Sequence, residues 1–254
     1  MRKLFVAGNW KMNLNEQEGC ALAGELRDET GDIDNVTLAV CPPFVYLKSL
    51  SSVLSGSGIA LGAQNMHTED SGAFTGEVSG PMLKEVGCRY VIIGHSERRH
   101  VFGESDDFIC EKTNKALRDG LLPIVCVGET LQQRENDQTR QVVSRQVEKA
   151  LENVDNDNME CVTIAYEPVW AIGTGHTATP GQAEEVHTII RSLIENLFDA
   201  ATAENTVIQY GGSVKPQNAA DLLSRENVDG ALVGGASLKS ETFLPIIETA
   251  RELG

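Results

Sequence analysis

Residues 162–180 read Val162-Thr-Ile-Ala-Tyr-Glu-Pro-Val-Trp-Ala-Ile-Gly-Thr-Gly-His-Thr-Ala-Thr-Pro180. The run Val162 to Tyr166 is short, apolar and β-branched, the pattern of a buried strand. It stops on Glu167-Pro168, where a carboxylate at the strand's carboxyl end is mounted next to a ring that fixes φ. Trp170 is a bulky anchor, and Gly173 and Gly175 give the loop two flexible joints, as a lid requires. Thr179-Pro180 then reads as an N-cap and first helical residue. An amphipathic stretch, Gly181 to Phe198, follows. The unit is strand, loop, helix. By itself the loop could be an ordinary connection carrying one solvated Glu.

The same unit recurs along the chain. Eight apolar segments have strand character: Leu4 to Gly8, Val36 to Val40, Ile59 to Gly62, Tyr90 to Ile93, Leu122 to Val127, Val162 to Tyr166, Val207 to Tyr210 and Gly230 to Val233. Amphipathic stretches lie between them, among them Glu16 to Asp28, Asp106 to Arg118, Leu131 to Leu151 and Leu238 to Leu253. Strict β-then-α alternation implies parallel strands joined by right-handed crossovers. A closed barrel and an open doubly wound sheet both satisfy that pattern. No linker or composition shift divides the chain, so residues 1–254 are read as one domain.

Composition narrows the function. Hydrophobic residues make up 41% of the 254 residues, enough for a full core. No apolar run approaches the roughly 20 residues that would span a bilayer. The patch Leu4 to Ala7 behind Met1-Arg2-Lys3 is too short for a signal-peptide core, so a cytoplasmic location is expected. The net charge of -16 argues against nucleic acid and anionic membranes as partners. Six cysteines are scattered without a C-x-x-C pair, and five histidines lack a ligand spacing. Neither a disulfide framework nor a metal centre is expected, and no cofactor motif is present.

Chemistry-bearing residues gather at the carboxyl ends of the strands. The first strand runs into Asn9-Trp10-Lys11, the fourth into Gly94-His95-Ser96-Glu97-Arg98-Arg99, the sixth into Glu167. The seventh runs into Gly211-Gly212-Ser213 and the eighth into Gly234-Gly235-Ala236. Barrel enzymes build their active sites at this end. The glycine pairs let backbone N–H groups close on a phosphate, and a helix start adds a favourable dipole. Backbone amides plus one lysine can thus hold a dianion on an acidic protein.

Taken together, these motifs resemble the triosephosphate isomerase family along essentially the whole chain. The resemblance rests on Asn9-Trp10-Lys11, Ala63-Gln64-Asn65, Gly94 to Arg99, Tyr166 to Gly175, Tyr210 to Val214 and Gly234-Gly235. It implies a closed (β/α)8 TIM barrel of eight parallel strands ringed by helices. It also implies a homodimer and the interconversion of dihydroxyacetone phosphate and D-glyceraldehyde 3-phosphate through an enediolate, in glycolysis and gluconeogenesis. A lid that closes over the substrate comes with it, this family being a standard example of one. His176 departs from the family, which often carries Lys there, and altered lid energetics are expected.

By the same resemblance Glu167 is the proton acceptor and His95 the electrophile that donates to the substrate carbonyl. Lys11 supplies a fixed positive charge paired with Glu97, and Asn9 a second donor. Asn9 and Lys11 join Gly173, Ser213, Gly234 and Gly235 in binding substrate, the last four around its phosphate. Cys126 is a packing residue behind the base. The long segment Gln64 to Ser79 reaches a partner subunit, with Thr75 near the other active site. Two other readings compete: a phosphate-binding barrel doing retro-aldol or decarboxylation chemistry, and a non-enzymatic barrel scaffold. The first wants a Schiff-base lysine; the second would have lost Glu167, His95 or Lys11.

Overall fold

The computed structural model describes residues 2–31, 33–172 and 177–254. Its strands are β1 (Leu4–Asn9), β2 (Val36–Cys41), β3 (Ile59–Ala63), β4 (Tyr90–Ile93), β5 (Leu122–Val127), β6 (Thr163–Tyr166), β7 (Val207–Tyr210) and β8 (Gly230–Val233). All pair in parallel with their sequence neighbours, and β8 returns to β1, so the sheet is a closed barrel. That last pairing runs from Phe5↔Gly230 to Gly8↔Val233. It removes the open-sheet alternative. Gly230 makes it possible: at φ 138° a side chain is disfavoured, and a Cβ there would overlap the Phe5 backbone.

Period-2 alternation sorts the strand residues into two apolar layers. Phe5, Ala7, Ile92, Ile124, Cys126 and Ala165 cluster inside the barrel. Leu4, Val6, Val91, Val125, Ile164 and Tyr166 belong to the larger cluster between strands and helices. The same alternation carries Asn9 and Glu167 to the inner side of the barrel's carboxyl end.

Helix starts follow their sequence signals. Asn15 and Glu18 form a capping box on the helix Glu16–Thr30, and Thr179 and Gln182 form one on Pro180–Leu197. One expectation fails. The stretch Leu131 to Leu151 is not a single helix but two, Leu131–Glu135 and Thr139–Ala150. The break falls at Asp137, whose φ of 55° no continuing helix can accommodate. Small boundary differences are found elsewhere: β1, β2 and β3 each run one residue past the expected end, and β6 begins at Thr163 rather than Val162. Short helices at Asn156–Met159 and Ala200–Asn205 carry too little periodicity to be read from sequence.

The segment from Gln64 to Ser79 is folded on itself. His67 N–H donates to the Val78 carbonyl at 2.8 Å, and Phe74 packs on the His67 ring at 4.1 Å between centroids. Asp70 pairs with Lys115 on the helix Asp106–Arg118. Its tip is nonetheless exposed, Thr75 included.

A buried histidine backs β6 and β7. His187 is fully enclosed, its ring edge-on to Tyr166, with Nδ1 3.0 Å from the Asn227 carbonyl. A carbonyl can only accept, so Nδ1 carries the proton in a neutral ring. Burial pushes its pKa down to about 4. The unfolded chain therefore binds a proton at about pH 6.5 that the native chain refuses. The sign follows: stability is full above about pH 6.5, falls as the pH drops towards 4, and is then level in this group. The loss is about 3 kcal/mol, from about 1.4 kcal/mol per pKa unit. Urea unfolding at pH 7 and pH 5 should show about 2 kcal/mol of it in the wild type and much less in His187→Asn. Equal acid losses in both proteins would show that another group is responsible.

Candidate active site

The barrel's carboxyl end opens into a cavity of about 800 Å³. Asn9, Lys11, His95 and Glu167 line it together with Ser213, Gly234 and Gly235. Residues drawn from five strand ends therefore face one space. Gly173, Gly175 and His176 lie outside the described residues.

Each side chain is aimed by its local backbone. Gly94, at φ 70°, breaks the β4 alternation, and a Cβ there would crowd Ile109. The turn brings His95 to the head of the short helix Ser96–His100, where it is the N-cap residue. Its Nδ1 accepts the Glu97 backbone N–H at 3.2 Å. With that lone pair engaged, the hydrogen-bond network assigns the ring proton to Nε2. Nε2 lies 2.9 Å from Glu167 Oε1.

Glu167 is 2% exposed. Its other oxygen, Oε2, accepts the Ser96 backbone N–H at 2.8 Å. Burial raises the carboxyl pKa, but His95, the Ser96 N–H and Lys11 outweigh it and hold the group below the ordinary carboxylate range. The mount is tight on every side. A Cβ on Gly128 would overlap the Glu167 carbonyl, and one on Gly211 would stand 2.8 Å from its Cγ. Cys126 is fully buried, and burial followed by the charge of Glu167 drives its thiol pKa well up.

Lys11 follows β1 in a left-handed conformation, φ 51°, unusual for a residue with a Cβ. Its N–H donates to Asn9 Oδ1 at 3.0 Å, and its Nζ meets Glu97 Oε1 at 2.6 Å. The expected Lys11–Glu97 pair is present.

The two glycine pairs differ in purpose. A Cβ on Gly212 would overlap the Tyr210 hydroxyl, so Gly211 and Gly212 are required by packing against Glu167 and Tyr210. Around Gly234 and Gly235 there is room: the nearest atom to a Cβ on Gly234 is Lys11 Cε at 3.6 Å, and Gly235 would meet nothing. Ser237 donates to the Gly234 carbonyl from both N–H and Oγ, closing this turn at the cavity wall.

The pattern that defines the triosephosphate isomerase family matches residues 4–250 of this chain. The chain belongs to the triosephosphate isomerase family. The triosephosphate isomerase of Carboxydothermus hydrogenoformans is 54% identical over 248 residues, covering 98% of this chain and 99% of that protein. Those of Rhodopirellula baltica and Herpetosiphon aurantiacus are each 51% identical, over 98% and 97% of this chain and 98% and 99% of theirs. A Schiff-base or scaffold barrel no longer fits.

Within this isomerase framework, sequence reading missed Glu129. It is completely buried and accepts from the Tyr166 hydroxyl at 3.1 Å, Trp170 Nε1 at 2.9 Å and Arg134 Nη1 at 3.2 Å. Through Trp170 it holds the segment just after Glu167-Pro168. A signal existed: Glu129 stands two residues past β5, as Glu167 stands one past β6.

Proposed function

We propose that this member of the triosephosphate isomerase family interconverts dihydroxyacetone phosphate and D-glyceraldehyde 3-phosphate with Glu167 as the base. The observation that carries the assignment is the contact of Glu167 with His95 Nε2 inside the cavity that Lys11 also lines. A substrate carbonyl oxygen takes over the Nε2–H, which releases Glu167 Oε1. Having lost the His95 hydrogen bond, the carboxylate keeps its burial with less to offset it, which makes it more basic. It removes the proton from the carbon beside the carbonyl. The electron pair moves onto the carbonyl oxygen, giving an enediolate that His95 and Lys11 stabilise, with Asn9 as a further donor. The proton of the neighbouring hydroxyl passes to the oxygen that was the carbonyl, Glu167 returns its own proton to that oxygen's carbon, and the former hydroxyl oxygen becomes the carbonyl. Gly173, Ser213, Gly234 and Gly235 hold the phosphate, and the Lys11 charge offsets the repulsion of an acidic protein. A coupled assay on glyceraldehyde 3-phosphate tests the reading; an inactive, folded wild type would overturn it.

The second part of the reading is a homodimer through Gln64 to Ser79. Exposed apolar side chains support it: Met12 after β1, Val45 after β2, Phe74 in the loop itself, and Val101 and Phe102 after β4. A monomer gains nothing by wetting so many on one side of the barrel. Excising Thr68 to Gly76 should give a monomer by sedimentation velocity, with activity falling as Thr75 no longer braces the neighbouring site. A fully active dimeric deletant would remove the loop from the interface. No described helix is long and apolar enough to cross a membrane.

A further inference from the structure

The end of β3 supplies a side chain that no step above uses. Gln64 Nε2 donates to the Lys11 carbonyl at 2.8 Å and to the Cys41 carbonyl at 2.8 Å. Both amide hydrogens are thereby committed, one to the turn after β1 and one to the last residue of β2. The Cys41 carbonyl also accepts the Trp10 N–H at 3.1 Å, so the carboxyl ends of three strands meet at this point. Lys11 is thus held at its N–H by Asn9 and at its carbonyl by Gln64, on either side of an unfavoured φ. Such a conformation persists only where the surroundings over-determine it.

We propose that Gln64 is a positioning residue for the isomerisation, acting through the backbone of Lys11. This rests on the reading of Lys11 as the cation of the active site. Without the Gln64 donors, residue 11 relaxes to negative φ. The stem of the lysine then swings, and Nζ leaves the place between Glu97 and the substrate. A carboxylate at position 64 would do worse than an apolar group, because it would face two carbonyl oxygens without a proton to offer.

The decisive experiment introduces Gln64→Met, similar in length and lacking donors, into the wild type and into Lys11→Met. In the wild type, kcat/KM should fall by about 10- to 100-fold, the usual cost of a small misplacement. In the Lys11→Met background the same change should cost less than about 2-fold, because residues acting as one unit are not additive. An equal loss in both backgrounds, or no loss in the wild type, overturns the proposal. Gln64→Asn, which keeps the donors on a shorter stem, serves if the Met variant does not fold. Failure of both to fold would assign Gln64 to stability and overturn the proposal as well. A wild type without isomerase activity would refute the functional reading instead, a separate result.

Discussion

Glu167→Gln is expected to lower kcat by about 10³-fold, within the 10²–10⁴ range for a positioned general base. The substitution preserves volume in a tightly packed socket, with Gly128, Gly211 and Cys126 around it. The amide oxygen can still accept the Ser96 N–H. What it cannot do is accept a proton from carbon. About 4 kcal/mol of barrier is thus attributed to one ionisable oxygen pair. Glu167→Asp separates chemistry from reach: it keeps the charge but recedes by one methylene, and a loss of about 10² is expected. Circular dichroism should be unchanged in both. A folded Glu167→Gln protein retaining a tenth of wild-type kcat would eliminate Glu167 as the base.

Lys11→Met should lower kcat/KM by about 10²- to 10³-fold, the scale for removing one preorganised group facing a developing oxyanion. The geometry makes the effect twofold. Nζ both faces the cavity and neutralises Glu97 at 2.6 Å, so its removal leaves a bare carboxylate beside an anionic substrate. The protein already carries a net charge of -16. Salt screens repulsion over about 10 Å at 0.1 M. The kcat/KM of the variant should therefore rise with ionic strength more steeply than that of the wild type. Parallel salt responses would mean that Lys11 does not set the charge of the site.

The candidate residues were legible because their placement is local. Asn9, Lys11, His95 and Glu167 each stand within two residues of a strand's carboxyl end, so finding the strands was enough to find them. Glu129 and the contacts of Gln64 escaped because they are relations between distant residues. Glu129 is defined by three donors, from β6, from Trp170 and from a helix, and Gln64 by carbonyls after β1 and at the end of β2. A buried carboxylate and a surface one look identical in sequence. The Leu131 to Leu151 stretch misled for another reason: residues 132–141 are all polar and hold no Gly or Pro to mark a stop, and only the folded structure turns the chain at Asp137.

The sequence by itself determined the β/α alternation, the net charge of -16 and the four candidate side chains at strand ends. Periodicity and turn chemistry are short-range properties, written within one unit at a time. Only the tertiary structure decided that the sheet closes, through β1 against β8 across the absent side chain of Gly230. It also decided which ring nitrogen of His95 carries the proton, and that Gly211 and Gly212 make room for Glu167 and Tyr210. These depend on atoms brought together from distant parts of the chain, and contact across such distances exists only once the barrel has closed.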